Sequence, residues 1–95
     1  MEGALDSTPN AGGLTERDHA ILAHEKRWWR SPGAKEEAIR TEFAISAARY
    51  YQLLAALIDS PLALAYDPLL VKRLQRMREA RARARAGRGL NTYYQ

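Results

Sequence analysis

Eight cationic side chains fill the chain's last third: Lys72, Arg73, Arg76, Arg78, Arg81, Arg83, Arg85 and Arg88, opposed by a single acid, Glu79. Their chemistry suits phosphate. A guanidinium presents a planar fork of donors that matches two phosphate oxygens, and a dense row of them displaces counterions from a polyanion. From Pro68 to Gln95 the formal charge is +7, whereas Met1 to Asp67 carries seven bases and ten acids, or −3. The net charge of +4 therefore conceals a strongly polarised chain. Nucleic acid, double-stranded DNA first, is the expected partner. If about five arginines neutralise phosphates, log affinity is expected to fall with log salt at a slope near −4 to −5.

A second constellation lies in EEAIRTEFAISAARYYQLL, Glu36 to Leu54. A helix-turn-helix needs apolar residues on its first helix, a small residue at the turn, an apolar residue after it and two inward residues on the second helix. Ile39 and Phe43, Ala44, Ile45, then Tyr50 and Leu53 supply these. Arg40 stands where a small residue packs more closely, and Ala44 where glycine would adopt a left-handed turn more easily. With Tyr50 and Leu53 inward, Ser46, Ala47, Arg49, Tyr51 and Gln52 are expected to face a major groove. Gln52 suits adenine and Arg49 suits guanine or a phosphate, while Ala47 and Ala48 permit close approach. So few base-reading side chains imply weak sequence preference, with affinity drawn mainly from phosphates.

Other chemistries find little support. The chain has no cysteine, which excludes disulfides, thiolate zinc sites and cysteine catalysis. His19 and His24 are five apart, a poor same-face spacing for a metal. Glu36, Glu37 and Glu42 read as a solvated face, because a chain of this size rarely encloses a cleft for paired carboxylates. There is no phosphate-cradling glycine loop and no nucleophile–base pair, so neither enzymatic activity nor a cofactor is expected. No stretch resembles an export signal or a membrane span, and the expected location is cytoplasmic, at the nucleoid.

These residues need helices to position them. Met1 to Gly13, rich in Gly, Pro, Ser and Thr, reads as a disordered lead. Thr15 and Asp18 form a capping box for a first helix over Glu16–Arg30, ended by Ser31-Pro32-Gly33. Its inner face is expected to hold Ile21, Trp28 and a residue near His24, with Leu22 and Trp29 flanking. One indole of the Trp28-Trp29 pair is thus assigned to the core and the other to its edge, a platform for bases being the alternative. A second helix is predicted over Ala34–Phe43 and a third over Ala47–Ile58, capped by Ser46, with Tyr50, Leu53, Leu54 and Leu57 as its apolar stripe. Ser60-Pro61 opens a short turn through Ala65, and Asp67-Pro68 opens the last helix. There Leu70, Val71, Leu74 and Met77 pack. REARARARAGRG then offers helix propensity with nothing to bury, so the helix is expected to project and to fray near Gly87, leaving Asn91 to Gln95 loose.

Trp28-Trp29, Gly33-Ala34-Lys35-Glu36, Ala48-Arg49-Tyr50-Tyr51-Gln52, Leu57-Ile58-Asp59 and the run from Asp67 to Leu74 resemble a family of small actinobacterial helix-turn-helix proteins of unknown function. The resemblance spans about Leu14 to Arg85. The family includes a mycobacterial nucleoid-associated protein that binds and compacts DNA in dependence on supercoiling. The resemblance implies an all-helical, cytoplasmic DNA-binding protein. The chain departs from the family pattern at Ser31-Pro32 and at Ala44, where glycine is commoner.

The expected architecture is all-α: a compact bundle of four main helices with a central helix-turn-helix over 14–77 and an arginine-rich extension over 78–95. The expected function is DNA binding of low specificity, nucleoid-associated or transcription-regulating. Lys72, Arg73, Arg76, Arg78, Arg81, Arg83, Arg85 and Arg88 are the expected phosphate clamp. The alternatives are a protein-interaction module contacting RNA polymerase or a transcription factor, and an RNA- or ribosome-binding factor. A homo-oligomer would suit a protein that bridges duplexes.

Overall fold

Every helix starts on an oxygen that the sequence places ahead of it. In the computed structural model, which describes residues 13–94 and side chains from 13 to 87, the elements are α1 (Glu16–Lys26), α2 (Pro32–Phe43), α3 (Ala47–Ile58), α4 (Pro61–Tyr66) and α5 (Pro68–Tyr94). The Thr15 hydroxyl accepts from the Asp18 N–H, and the Thr15 N–H donates to the Asp18 carboxylate, both at 3.0 Å, completing the capping box. Ser31, Ser46 and Ser60 accept from Ala34, Arg49 and Ala63 at the starts of α2, α3 and α4. Asp67 accepts from the Leu70 N–H at 3.3 Å and opens α5. Each cap satisfies one of the orphan donors of a first turn, worth about 1 kcal/mol. Among the described residues there are helices and no strands.

α3 is the hub, packing against each of the other four helices. Its Tyr50, Leu54, Leu57 and Ile58 are buried, and Leu53 packs half-buried beside them. Around it close Ile21 and Leu22 of α1, Ile39 of α2, Ala63 of α4, and Leu70, Val71 and Leu74 of α5. α2 and α3 are joined by Ala44-Ile45-Ser46. Ala44 adopts φ 57° and ψ 34°, and its N–H donates to the Arg40 carbonyl at 3.1 Å. This left-handed conformation costs an L-residue about 1–2 kcal/mol, the strain foreseen where glycine would sit more easily.

Several expectations change. α1 stops at Lys26, four residues before the predicted end. The chain turns extended at Arg27, letting Trp29 fold back on His24 with ring centroids 4.6 Å apart. Trp28 is thereby thrown outward, 84% exposed, instead of lining the core behind Ile21. α2 starts at Pro32, not Ala34, because Ser31-Pro32 is a cap with proline in the first turn, whereas α1 has already ended at Lys26. Met77 is 45% exposed, so Leu74 is the last buried residue of the α5 stripe. The α5 backbone stays helical through Gly87 to Tyr94. A glycine costs a helix only about 1 kcal/mol, and the alanines and arginines before it favour helix. The predicted disordered lead, apart from Gly13, and the Arg88 side chain lie outside the described residues.

Candidate functional site

The outer side of α3 carries the groove-facing residues predicted from the sequence. Ser46, Arg49 and Gln52 are exposed, as are Ala48, Ala55 and Ala56, while Ala47 is half-buried. Arg49 donates to the Gln52 carbonyl oxygen at 3.2 Å, so the two polar side chains act as one unit. Tyr51 is partly exposed, edge-on to Tyr50 at 5.2 Å, with the Lys35 ammonium 5.5 Å from its ring centre. The solvent side of the helix is thus shallow and small apart from Arg49, Tyr51 and Gln52.

Beneath it lies a buried polar network that the sequence reading did not anticipate. The Tyr50 hydroxyl donates to Glu25, and Lys35 lies 3.0–3.1 Å from the two oxygens of that carboxylate. Nδ1 of His24 lies 3.0 Å from the same hydroxyl. Tyr50 has one hydrogen, and the lysine-bound carboxylate takes it. His24 must therefore donate through Nδ1–H, which leaves Nε2 as a lone pair. Nε2 of His24 and Nε1 of Trp29 are both buried without a hydrogen-bond partner among the described residues. Burial holds the His24 pKa below 6.5 against the opposing pull of Glu25 and Glu42. Burial, followed by the hydrogen bond to Glu25 and its charge, pushes the Tyr50 phenol far above its ordinary range. The network ties α1, α2 and α3 together and orients the outer face of α3.

α5 is fastened at its middle. Arg73 donates to the Glu25 carbonyl at 3.2 Å, capping the C-terminal end of α1. Gln75 donates to the Ile58 carbonyl at 3.1 Å, and Arg78 binds Asp59 at 2.8 Å. That hydrogen bond lowers the Asp59 carboxyl below its ordinary range and raises Arg78. Beyond this clasp, every residue from Glu79 to Ala86 is exposed. Leu74, Arg78, Arg81 and Arg85 recur at alternating spacings of four and three, so they share one stripe. The stripe that faces the core as Leu70, Val71 and Leu74 turns cationic where the core ends. Lys72, Arg76 and Arg83 fall on the opposite side of the helix.

The eight basic residues predicted as a clamp therefore divide. Arg73 and Arg78 hold the fold together, whereas Lys72, Arg76, Arg81, Arg83 and Arg85 have no ion pair among the described residues. Among the described residues, five of the nine acids are already in ion pairs. Glu25, Glu37, Glu42, Asp59 and Asp67 pair with Lys35, Arg40, Arg27, Arg78 and Lys26 respectively. What is left over is predominantly positive. The two predicted contact regions stand at opposite ends of α3: Ser46 and Arg49 at its start, and the Arg78 clasp at its end. At about 1.5 Å per residue those ends are roughly 18 Å apart.

The model of a family described as "Protein of unknown function (DUF3263)" matches residues 13–86. The chain belongs to this family. The DUF3263 match covers α1 to α4 and runs along α5 just past Arg85, so it takes in both the tandem tryptophans and the exposed arginines. No curated protein and no solved structure matches the chain. His19 packs against Tyr66 and His24 against Trp29, and no three potential metal ligands converge among the described residues. No helix among them is long and apolar enough to cross a membrane.

Proposed function

We propose that this protein binds double-stranded DNA with low sequence specificity, in nucleoid organisation or transcription control. The observation that carries the reading is the distal half of α5. From Glu79 to Ala86 every residue is exposed, Glu79 is the one acid, and Arg81 and Arg85 continue the stripe that faces the core as Leu70 and Leu74. Exposed guanidinium groups without carboxylate partners are poised for phosphate. In this reading α2 and α3 form a helix-turn-helix through Ala44-Ile45-Ser46. The start of α3 docks in a major groove through Ser46, Ala47, Arg49, Tyr51 and Gln52, and Arg81 and Arg85 hold the backbone.

The test is binding of the full chain to a labelled random-sequence DNA duplex across a salt series, beside an RNA duplex of equal length. Binding that falls steeply with salt supports the reading. No DNA binding at low salt overturns it, and a shift of the RNA alone transfers it to RNA. A second reading, a protein-interaction module for RNA polymerase or a transcription factor, draws on Leu62 and Tyr66 on α4 and on Leu69, which are exposed. Large apolar side chains grouped at a surface mark docking sites. Capture of polymerase that is lost in Leu69→Ser and unaffected by nuclease would favour it.

A further inference from the structure

Trp28 and Trp29 are neighbours with opposite fates, and the loop holding them is braced. Arg27 donates to both oxygens of Glu42 at 3.0 Å, and its guanidinium lies 4.4 Å from the centre of the Trp29 ring. Trp29 in turn packs on His24, which meets Phe43 and Tyr50 edge-on. Of the residues on either side of Trp28, Trp29 is thus packed on buried His24 and Arg27 is tied to α2 at the surface, while the Trp28 indole stands 84% exposed. Lys26 and Arg30 flank it on the exposed surface. Glu42, which anchors Arg27, is in the last turn of α2, immediately before the connection to α3. The loop that displays the ring is therefore tied to the end of α2 that leads into α3, the helix whose start is proposed to enter the groove.

We propose that Trp28 is a stacking residue, placing its indole against a base or between base steps of the bound duplex. This rests on the DNA-binding reading and adds a contact that carries no charge. A braced loop loses little conformational freedom when its aromatic tip is engaged, and every base offers a face to stack on, so the contact suits a protein with weak sequence preference. Arg30, exposed beside it and without an ion pair among the described residues, favours a polyanion as the ring's partner.

The experiment compares the wild type, Trp28→Ala and Trp28→Phe on the same duplex over a salt series, with tryptophan fluorescence recorded. Trp28→Ala is expected to bind about tenfold more weakly with an unchanged salt slope, while Trp28→Phe keeps most of the affinity. Duplex is expected to quench wild-type emission and to leave the remaining Trp29 emission of both variants unaltered. Unchanged thermal midpoints would exclude a folding defect. If Trp28→Ala binds as tightly as the wild type, loses affinity only with an altered salt slope, or the wild type shows no quench, stacking is overturned and DNA binding stands. If the wild type does not bind duplex, both readings fall.

Discussion

The two halves of α5 share one helical register and meet different surroundings. From Pro68 to Leu74 the inward stripe is leucine and valine, sealed beneath α3 and α4. Beyond Arg78, which is held by Asp59, the same stripe continues as the exposed Arg81 and Arg85. The crossover is marked by two hydrogen bonds, Gln75 to the Ile58 carbonyl and Arg78 to Asp59. One periodic signal thus serves two purposes: burial fixes where the helix lies, and the rigid backbone then carries the arginines into solvent at a set angle. The comparison also separates cations that hold the fold from those left over. Arg73 and Arg78 belong to the first group, and Arg81 and Arg85 to the second.

The severest way to break this division is to move its border. Leu74→Arg extends the cationic stripe one turn into the core. It buries a charge without a partner and is expected to cost more than about 4 kcal/mol, abolishing cooperative unfolding in a urea titration. The same arginine chemistry one turn later is harmless. Arg81→Ala with Arg85→Ala is expected to leave stability within about 0.5 kcal/mol and to reduce the salt slope of DNA binding by about 2. Arg76→Ala with Arg83→Ala, on the opposite side, is expected to change that slope less. Equal effects from the two pairs would show that the stripe has no special role.

A pH titration sharpens the contrast from the packed side. The folded state holds His24 neutral, below its unfolded value of 6.5, while the unfolded chain takes a proton. Stability from this group is present above pH 6.5 and is lost as pH falls through 6.5 towards the folded value. Thermal midpoints measured downward from neutral pH are expected to drop in the wild type and to drop less in His24→Gln. The smallest effect is expected at the border itself. Asp59→Asn releases Arg78 without touching the core. It should steepen the salt slope by at most about 1, with helicity by circular dichroism unchanged.

Local signals were legible. Ser46, Ser60 and Asp67 announce helix starts because a cap is a contact across three residues, decided before any tertiary packing. The limits of α3 follow from the Ser46 cap and the Asp59-Ser60-Pro61 break, and its buried Tyr50, Leu54 and Leu57 from periodicity. Ser31-Pro32 misleads because a proline that reads as a helix stop serves here as the first residue of α2, and α1 has already ended at Lys26. Where α1 ends is settled by Trp29 on His24, five residues back, and by Arg27 on Glu42 of α2, pairings that no helical repeat announces. The same contacts choose which indole is covered. The network of His24, Glu25, Lys35 and Tyr50 was invisible for this reason: its members come from three helices, and no spacing links them.

The sequence by itself determined the all-helical class, the cap positions, the apolar stripe of α3 and the segregation of positive charge into α5. All of these arise from interactions within a turn or two of helix. Only the tertiary structure decided that Trp28 faces outward and Trp29 inward, that Arg73 and Arg78 are consumed by the fold, and that the exposed arginines begin at the opposite end of α3 from Arg49 and Gln52. Those outcomes depend on which distant groups meet, and burial and pairing energies that link separate helices leave no periodic trace along the chain.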